Sequence, residues 1–188
     1  GYSKHSFPFS PNLFSGRVMF NKPERGDVIV FKTPADNRTD YIKRLIGFPG
    51  DIIQIIEGDL YLNNKLIQKK KLKISYNINC GEQFLDTDVY EEILPNGKKY
   101  IVAYRKDGTM KNSDIFTVPE NHYFFMGDNR DCSKDSRFLS SVGYVNFNNF
   151  VGKAQIIFFS SDARNYSFFR FWKWNKSVRT ERFLQKIR

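Results

Sequence analysis

The chain has 188 residues, of which 40% are hydrophobic and 16% aromatic, and its formal net charge is +10. This composition supports a packed core in one domain or two small lobes, and the lack of any run of about 18 apolar residues excludes a membrane-spanning helix within it. The charge is compatible with nucleic acid, an anionic membrane surface or an acidic substrate as partner, and does not choose among them. Isolated histidines and the lack of CxxC and HExxH motifs argue against a metal site, and no cofactor is expected.

In chain order, short β-prone runs alternate with turn residues, and no long stretch before Phe168 has helical periodicity. Asn63-Asn64 and Pro95-Asn96-Gly97 are typical of tight hairpins. The pattern predicts an all-β fold of coiled antiparallel sheets or a partly closed barrel. The predicted strands are 28–31, 41–47, 52–56, 60–62, 65–67, 91–94, 99–102, 114–118, 123–126, 143–145 and 151–159.

The middle of the chain is less regular, which predicts an inserted smaller β lobe. We expect a β core at 1–60 plus 113–165, the inserted lobe at 61–112 and a short basic, aromatic tail at 166–188. The charge run 69–71 is expected to be a solvated turn or a sheet edge. Cys80 and Cys132 could pair in an oxidising compartment, but two distant cysteines leave the disulfide undecided.

Two cations, Lys43 and Arg44, lie within the second predicted strand. Because side chains alternate along a strand, each cation shares one face with apolar neighbours. One interpretation is an edge strand with both charged tips in water. The other is a lysine held at an apolar site, where desolvation lowers its pKa and makes it a usable base for activating a serine.

A dense charged loop, residues 127–137 with the sequence GDNRDCSKDSR, follows the apolar strand at 123–126. One interpretation is an ordered surface loop held by Asp–Arg pairs, some of them bidentate. The interleaved arginines count against a divalent-cation site. The pattern alone leaves a structural and a functional role open.

Three motifs together carry a family resemblance: ERGDVIVF at 24–31, DYIKRLIGFPGD at 40–51, and MGDNRD at 126–131 followed by SxDSR at 133–137. In order and surroundings they resemble the bacterial type I signal peptidases, over about residues 23–159 and weakly through the middle lobe. The resemblance implies a Ser/Lys endopeptidase that removes signal peptides from exported precursor proteins. No histidine takes part in that chemistry.

The resemblance also implies residue roles. Lys43 matches the general base, and Ser133 matches a residue whose hydroxyl orients that lysine. The residues expected to support the active site, largely through ion pairs, are Asp128, Asn129, Arg130, Asp135, Arg137 and Arg44.

The nucleophile is where the sequence departs from the family pattern. The resemblance implies a serine in a Ser-x-Met motif upstream of the Arg-Gly-Asp strand, and no Ser-x-Met occurs among the 188 residues. Since the chain begins at Gly1, we interpret it as an N-terminally truncated form that lacks the nucleophilic serine, and we expect it to be inactive as written. Part of the oxyanion site and of the pockets for small residues is expected to be missing with it.

The resemblance further implies partners and a location. We expect exported preproteins with small residues before the cleavage site as substrates, a phospholipid surface as neighbour, no nucleic acid, and a monomer. The expected location is the bacterial inner membrane, with the catalytic domain on the extracytoplasmic side. The tail at 166–188 is interpreted either as a membrane-surface segment or as a terminal segment packed on the β core.

Two other hypotheses account for part of the sequence. A basic β-barrel that binds nucleic acid would explain the charge, the aromatic residues and the strands, but not the strand of Lys43 together with the charged loop. A plasmid-transfer or phage-repressor-like Ser/Lys peptidase would share the dyad but not the full set of motifs.

Overall fold

The computed structural model describes residues 2–3, 17–18, 21–80, 83–106, 108, 110–157 and 182–187. About half of these residues lie in antiparallel strands, and a 3-10 turn lies at Phe147–Asn149. The strands are β1 Tyr2–Ser3, β2 Arg17–Val18, β3 Val28–Lys32, β4 Asp40–Gly47, β5 Ile52–Ile56, β6 Asp59–Leu62, β7 Lys65–Leu66, β8 Gln68–Cys80, β9 Gln83–Ile93, β10 Lys99–Arg105, β11 Phe116–Thr117, β12 His122–Met126, β13 Val145–Asn146 and β14 Phe150–Lys153.

The strands form open antiparallel sheets in the described part of the chain. The orders are β1-β2, β10-β9-β8, β11-β5-β6-β7 and β13-β12-β4-β3-β14. The predicted all-β fold of antiparallel sheets is therefore confirmed, and none of these sheets closes on itself. No helix among the described residues has the length and apolar character needed to cross a bilayer.

Turn chemistry fixes the hairpins where the sequence predicts them. Asn63 and Asn64 have φ values of 52° and 61°, the left-handed conformation that a tight two-residue hairpin requires. The β9–β10 hairpin turns at residues 95–98, where Gly97 has a φ of 80°. The lysine run at 69–71 lies in β8, which is an edge strand of its sheet. Of the two expectations for this run, the sheet edge is therefore the one that the structure has, and not the turn.

The five-stranded sheet is buried on both faces at its centre. In β4, Leu45 joins one hydrophobic cluster and Ile46 the other. In β12, Phe125 and Phe124 divide between the same two clusters. Because successive side chains point to opposite faces, the neighbours of these residues on β4, Lys43 and Arg44, are also placed on opposite faces.

The chain folds as two compact units, residues 1–153 and 154–188. Within the second unit, Ile156 pairs with Lys186 in an isolated antiparallel bridge. The predicted division into core, inserted lobe and tail stays a prediction. Most of the predicted tail at 166–188, and the end of the last predicted strand at 158–159, lie outside the described residues.

Candidate active site

Lys43 lies on an interior strand of the five-stranded sheet. Strand β4 is bonded to β3 on one side and β12 on the other, and Lys43 stands opposite Ile29 of β3. Its side chain is half-buried, and its Nζ is 5.5 Å from the centroid of the Tyr41 ring. The edge-strand interpretation is therefore wrong, since β4 is internal and Arg44 is only 3% exposed.

Gly127 provides the space in which Lys43 and Ser133 meet. A Cβ on this glycine would collide with the Ser133 hydroxyl and would stand 3.5 Å from the Lys43 Nζ. The amine and the hydroxyl thus share one side of Gly127. The Ser133 side chain is buried, and among the described residues its Oγ has no hydrogen-bond partner. The hydroxyl is therefore available to orient the amine.

The surroundings of Lys43 favour its neutral form. Burial lowers the pKa of the ammonium below the ordinary value for lysine, the carboxylates of Asp135 and Asp128 oppose that lowering, and Arg137 adds to it. A lower pKa means that more of the amine is unprotonated near neutral pH. An unprotonated amine can accept a proton from a hydroxyl.

Arg44, which follows Lys43 on β4, is bonded to the charged loop at 127–137. Its Nε and Nη2 donate to the two carboxylate oxygens of Asp128, both at 2.7 Å, in a bidentate pair. Its Nη1 donates to the carbonyl of Gly26 at 2.8 Å, and its guanidinium lies 4.4 Å from the Tyr100 ring centroid. These contacts fix the start of the loop beside the strand that carries Lys43.

Arg130 is a fully buried cation paired with Glu92 of β9. The two guanidinium nitrogens donate to the two carboxylate oxygens at 2.8 and 2.6 Å, and the exposures of the two side chains are 2% and 1%. The hydroxyls of Tyr100 and Tyr104 donate to the same carboxylate at 2.6 and 2.9 Å. Burial raises the pKa of both tyrosines, so both hydroxyls stay protonated and able to donate. This cluster anchors the loop to the three-stranded sheet.

Asp135 and Arg137 close the loop from its other end. The guanidinium of Arg137 donates from Nε and Nη2 to the two oxygens of Asp135, both at 2.8 Å, and Nη2 also donates to the Arg130 carbonyl. The Asp135 carboxylate accepts a further bond from the Gly127 N–H at 2.9 Å. The glycine that makes room for Lys43 and Ser133 is therefore held by the same ion pair that closes the loop.

Asn129 and Cys132 tie the loop to the three-stranded sheet. Asn129 forms an isolated parallel bridge with Ala103 of β10, and its side-chain oxygen is buried with no hydrogen-bond partner in the described part of the chain. Cys132 forms a disulfide with Cys80 at the end of β8, with the Cα atoms 5.4 Å apart, which is within the usual range. The pairing left undecided by the sequence is thus present in the structure.

The structure brings the sequence-predicted site residues together around one loop. The Lys43 amine and the Ser133 hydroxyl lie beside Gly127, whose N–H is bonded to Asp135. Arg44 and Arg130 support the loop through Asp128 and Glu92. The pattern of Asp–Arg pairs expected for residues 127–137 is present at Asp135 and Arg137. Within the described ranges, no cluster of three or more His, Cys, Asp or Glu side chains is placed to hold a metal ion.

Sequence reasoning missed the residues that complete this support: Glu92, Tyr100, Tyr104 and Gly127 as a spacer. One signal was present for Glu92, which lies on the same strand face as Tyr90 and Leu94. A carboxylate on such an apolar face needs a buried partner. No local pattern indicated which cation that partner would be.

Gly127→Ala tests the role of the glycine as a spacer. Because the new Cβ would meet the Ser133 hydroxyl and approach the Lys43 amine, we expect kcat for preprotein cleavage to fall by about 10²-fold. The new Cβ would also clash with the Ser133 Cβ, which no rotamer change can move, so a loss of stability is expected together with the loss of kcat. The measurement is kcat with thermal unfolding of the same preparation, and Gly152→Ala, which meets nothing within 4 Å, is the control. Equal activity of the two variants would contradict the assigned role.

Comparison with known proteins identifies a matching family and related proteins. A model of the family described as "Signal peptidase, peptidase S26" matches residues 5–159. A relative named Signal peptidase I from Rickettsia canadensis (strain McKiel) is 45% identical over 171 residues, a match that covers 86% of this chain and 62% of the relative. A second, from Rickettsia akari (strain Hartford), is 40% identical over 205 residues and covers 100% of this chain and 74% of the relative. The chain therefore spans less than two thirds of the length of the first of these relatives.

A solved structure of a signal peptidase I from Enterococcus faecalis V583 is also similar, with 26% sequence identity. The match covers 71% of this chain and 97% of that chain, with a TM-score of 0.41. A score this low supports no conclusion.

Proposed function

This chain belongs to the signal peptidase family described as peptidase S26, and on that premise we propose that it carries the general base of a serine endopeptidase that removes signal peptides from exported preproteins. The observation that carries the proposal is that the Lys43 amine and the Ser133 hydroxyl lie on the same side of Gly127. The lowered pKa of Lys43 supports the same role, because a base must be unprotonated to act.

The proposed chemistry follows from these two groups. A serine hydroxyl attacks the scissile carbonyl carbon while the Lys43 amine takes the hydroxyl proton. When the tetrahedral intermediate collapses, the C–N bond breaks and the Lys43 ammonium returns the proton to the departing amine. Lys43 then takes a proton from the water that attacks the acyl-enzyme ester, and returns it to the serine oxygen as the ester C–O bond breaks. In this proposal the Ser133 hydroxyl, which lies on the same side of Gly127 as the Lys43 amine, orients that amine during the reaction.

The nucleophile is not assigned to any residue of this chain. The Ser-x-Met motif that the family resemblance implies does not occur among the 188 residues. The space beside Lys43 and Ser133 is where such a hydroxyl would have to stand to pass its proton to the amine. The roles proposed for Asp128, Asn129, Arg130, Asp135, Arg137 and Arg44 are positional, since these residues hold the loop that carries Ser133.

The proposed setting is the membrane surface on the extracytoplasmic side of a bacterial inner membrane. The family is membrane-associated, and we infer that a monomer meets exported preproteins with small residues before the cleavage site beside the phospholipid surface. The disulfide between Cys80 and Cys132 supports an oxidising location, because such bonds persist outside the cytoplasm. The matched family and the relatives named above are peptidases, and none of them favours nucleic-acid binding.

Cleavage of a preprotein by the complete gene product tests the proposed function. We expect hydrolysis in detergent directly after an Ala-x-Ala sequence, detected by mass spectrometry of the released mature protein. A matched preprotein with tryptophan in place of the last alanine should remain uncut, because the site is proposed to require small residues. Failure to cut the first substrate, or equal cutting of both, would refute the proposal.

A further inference from the structure

A cleft of about 620 Å³ lies next to the proposed active site. Its lining includes Ser133 and the disulfide between Cys80 and Cys132. We call it the disulfide cleft. Its volume is within the range of pockets that enclose small organic ligands, so it can hold a short peptide segment. Because Ser133 belongs both to this lining and to the contact at Gly127, a peptide in the cleft would continue to the reacting groups.

The lining of the disulfide cleft mixes polar and apolar groups and includes two basic residues and one acidic residue. Lys134 is exposed within it, and Arg105 contributes a second cation. The Asp131 carboxylate accepts a hydrogen bond from the Arg105 backbone N–H at 2.7 Å. Lysine at such a surface attracts carboxylates with an energy that salt reduces.

A buried hydroxyl and one apolar surface complete the lining. The Ser141 Oγ is buried and has no hydrogen-bond partner among the described residues, which is uncommon for a buried polar atom. Phe138, 42% exposed, supplies an apolar surface beside it. The exposed Phe138 ring can contact an apolar side chain of a peptide in the cleft.

We propose that the disulfide cleft binds the part of the preprotein that follows the scissile bond, with a preference for acidic side chains there. The inference rests on the proposed function, since it concerns the substrate of the same site. Residues before the scissile bond are expected to be small, and a cleft lined by long cations and an exposed ring does not match them. A polar segment that leaves past Ser133 does match.

Charge reversal at Lys134 tests this inference. Three preproteins with identical signal peptides would carry aspartate, serine or lysine at the second to fourth positions after the cleavage site. For the unmodified enzyme we expect kcat/KM to be about three- to fivefold higher with aspartate than with lysine, the size that exposed charge pairs allow. Lys134→Glu should reverse the order, and 0.5 M NaCl should reduce the preference in both enzymes.

Lys65→Glu is the matched control, because Lys65 is an exposed lysine on β7 in a different sheet. It should keep the preference for aspartate. A parallel series with the same changes placed before the cleavage site should respond equally in the Lys134 and Lys65 variants.

The outcomes separate this inference from the proposed function. If the unmodified enzyme cuts none of the preproteins, the proposed function fails, and the inference fails with it. If it cuts them but Lys134→Glu and Lys65→Glu give the same order of substrates, only the inference is overturned. A Lys134 effect confined to changes before the cleavage site would show that the signal peptide occupies the cleft, which also overturns it.

Discussion

Replacing Lys43 with methionine is expected to lower kcat/KM for preprotein cleavage by about 10³-fold or more, with little change in the unfolding temperature. Methionine keeps an unbranched apolar stem but cannot accept a proton. The Lys43 amine is half-buried and lies on the same side of Gly127 as the Ser133 hydroxyl. The measurement is steady-state cleavage by the complete gene product, and Lys65→Met, at an exposed lysine, should leave kcat/KM unchanged. Retained activity in the Lys43 variant would remove this residue from the mechanism.

The rate of preprotein cleavage is expected to increase as the pH rises. The unprotonated fraction of Lys43 grows as pH rises toward its pKa, so kcat/KM should rise about tenfold per pH unit on the acid side and then level off. Because burial lowers the pKa of Lys43, the plateau should begin below the ordinary pKa of lysine. The Gly127→Ala variant should show a displaced acid limb, since the new Cβ would displace Ser133 and approach the Lys43 amine.

Glu92→Gln is expected to produce the largest loss of stability, about 3–5 kcal/mol in the free energy of unfolding. The substitution keeps the size and shape of the side chain but leaves the Arg130 guanidinium buried, at 2% exposure, without its counter-charge. The hydroxyls of Tyr100 and Tyr104 would also lose a charged acceptor. Total domain stabilities are about 5–15 kcal/mol, so much of the folded population at elevated temperature should be lost.

Urea unfolding measures this effect, and Asp86→Asn is the matched carboxylate-to-amide control. Asp86 is 68% exposed and its carboxylate is 4.0 Å from the Lys106 amine, so its pair should contribute at most about 1 kcal/mol. A loss for Glu92→Gln as small as that of the control would show that the Arg130–Glu92 pair does not stabilise the fold.

Many of the strands and hairpins could be predicted because the residue patterns that indicate them are local in sequence. The alternation of apolar side chains and the positive-φ preferences of Asn and Gly indicate strands and hairpins within a few residues. The strand predicted at 114–118 is shorter in the structure, Phe116–Thr117, since β11 pairs with only Ile52 and Ile53 at the edge of its sheet. Where a strand ends depends on how far it pairs with a strand that is distant in sequence. The local residue pattern carries no information about that pairing.

The candidate site was only partly predictable for a related reason. Alternation along β4 indicated that Lys43 and Arg44 lie on opposite faces, and the family motif indicated their roles. The partner of Arg130 is 38 positions away in sequence, and the disulfide partner of Cys132 is 52 positions away. Such pairs depend on how sheets pack, so neither Glu92 nor the disulfide followed from spacing.

The most direct test of Lys43 as the general base is an NMR titration of its side chain in the complete gene product, assigned by comparison with the Lys43→Arg variant. We predict that the Lys43 amine loses its proton at a lower pH than the ordinary value for lysine, because burial lowers its pKa. We also predict that Ser133→Ala changes the Lys43 titration. A Lys43 amine that titrates at the ordinary value for lysine and does not respond to Ser133→Ala would contradict the assignment.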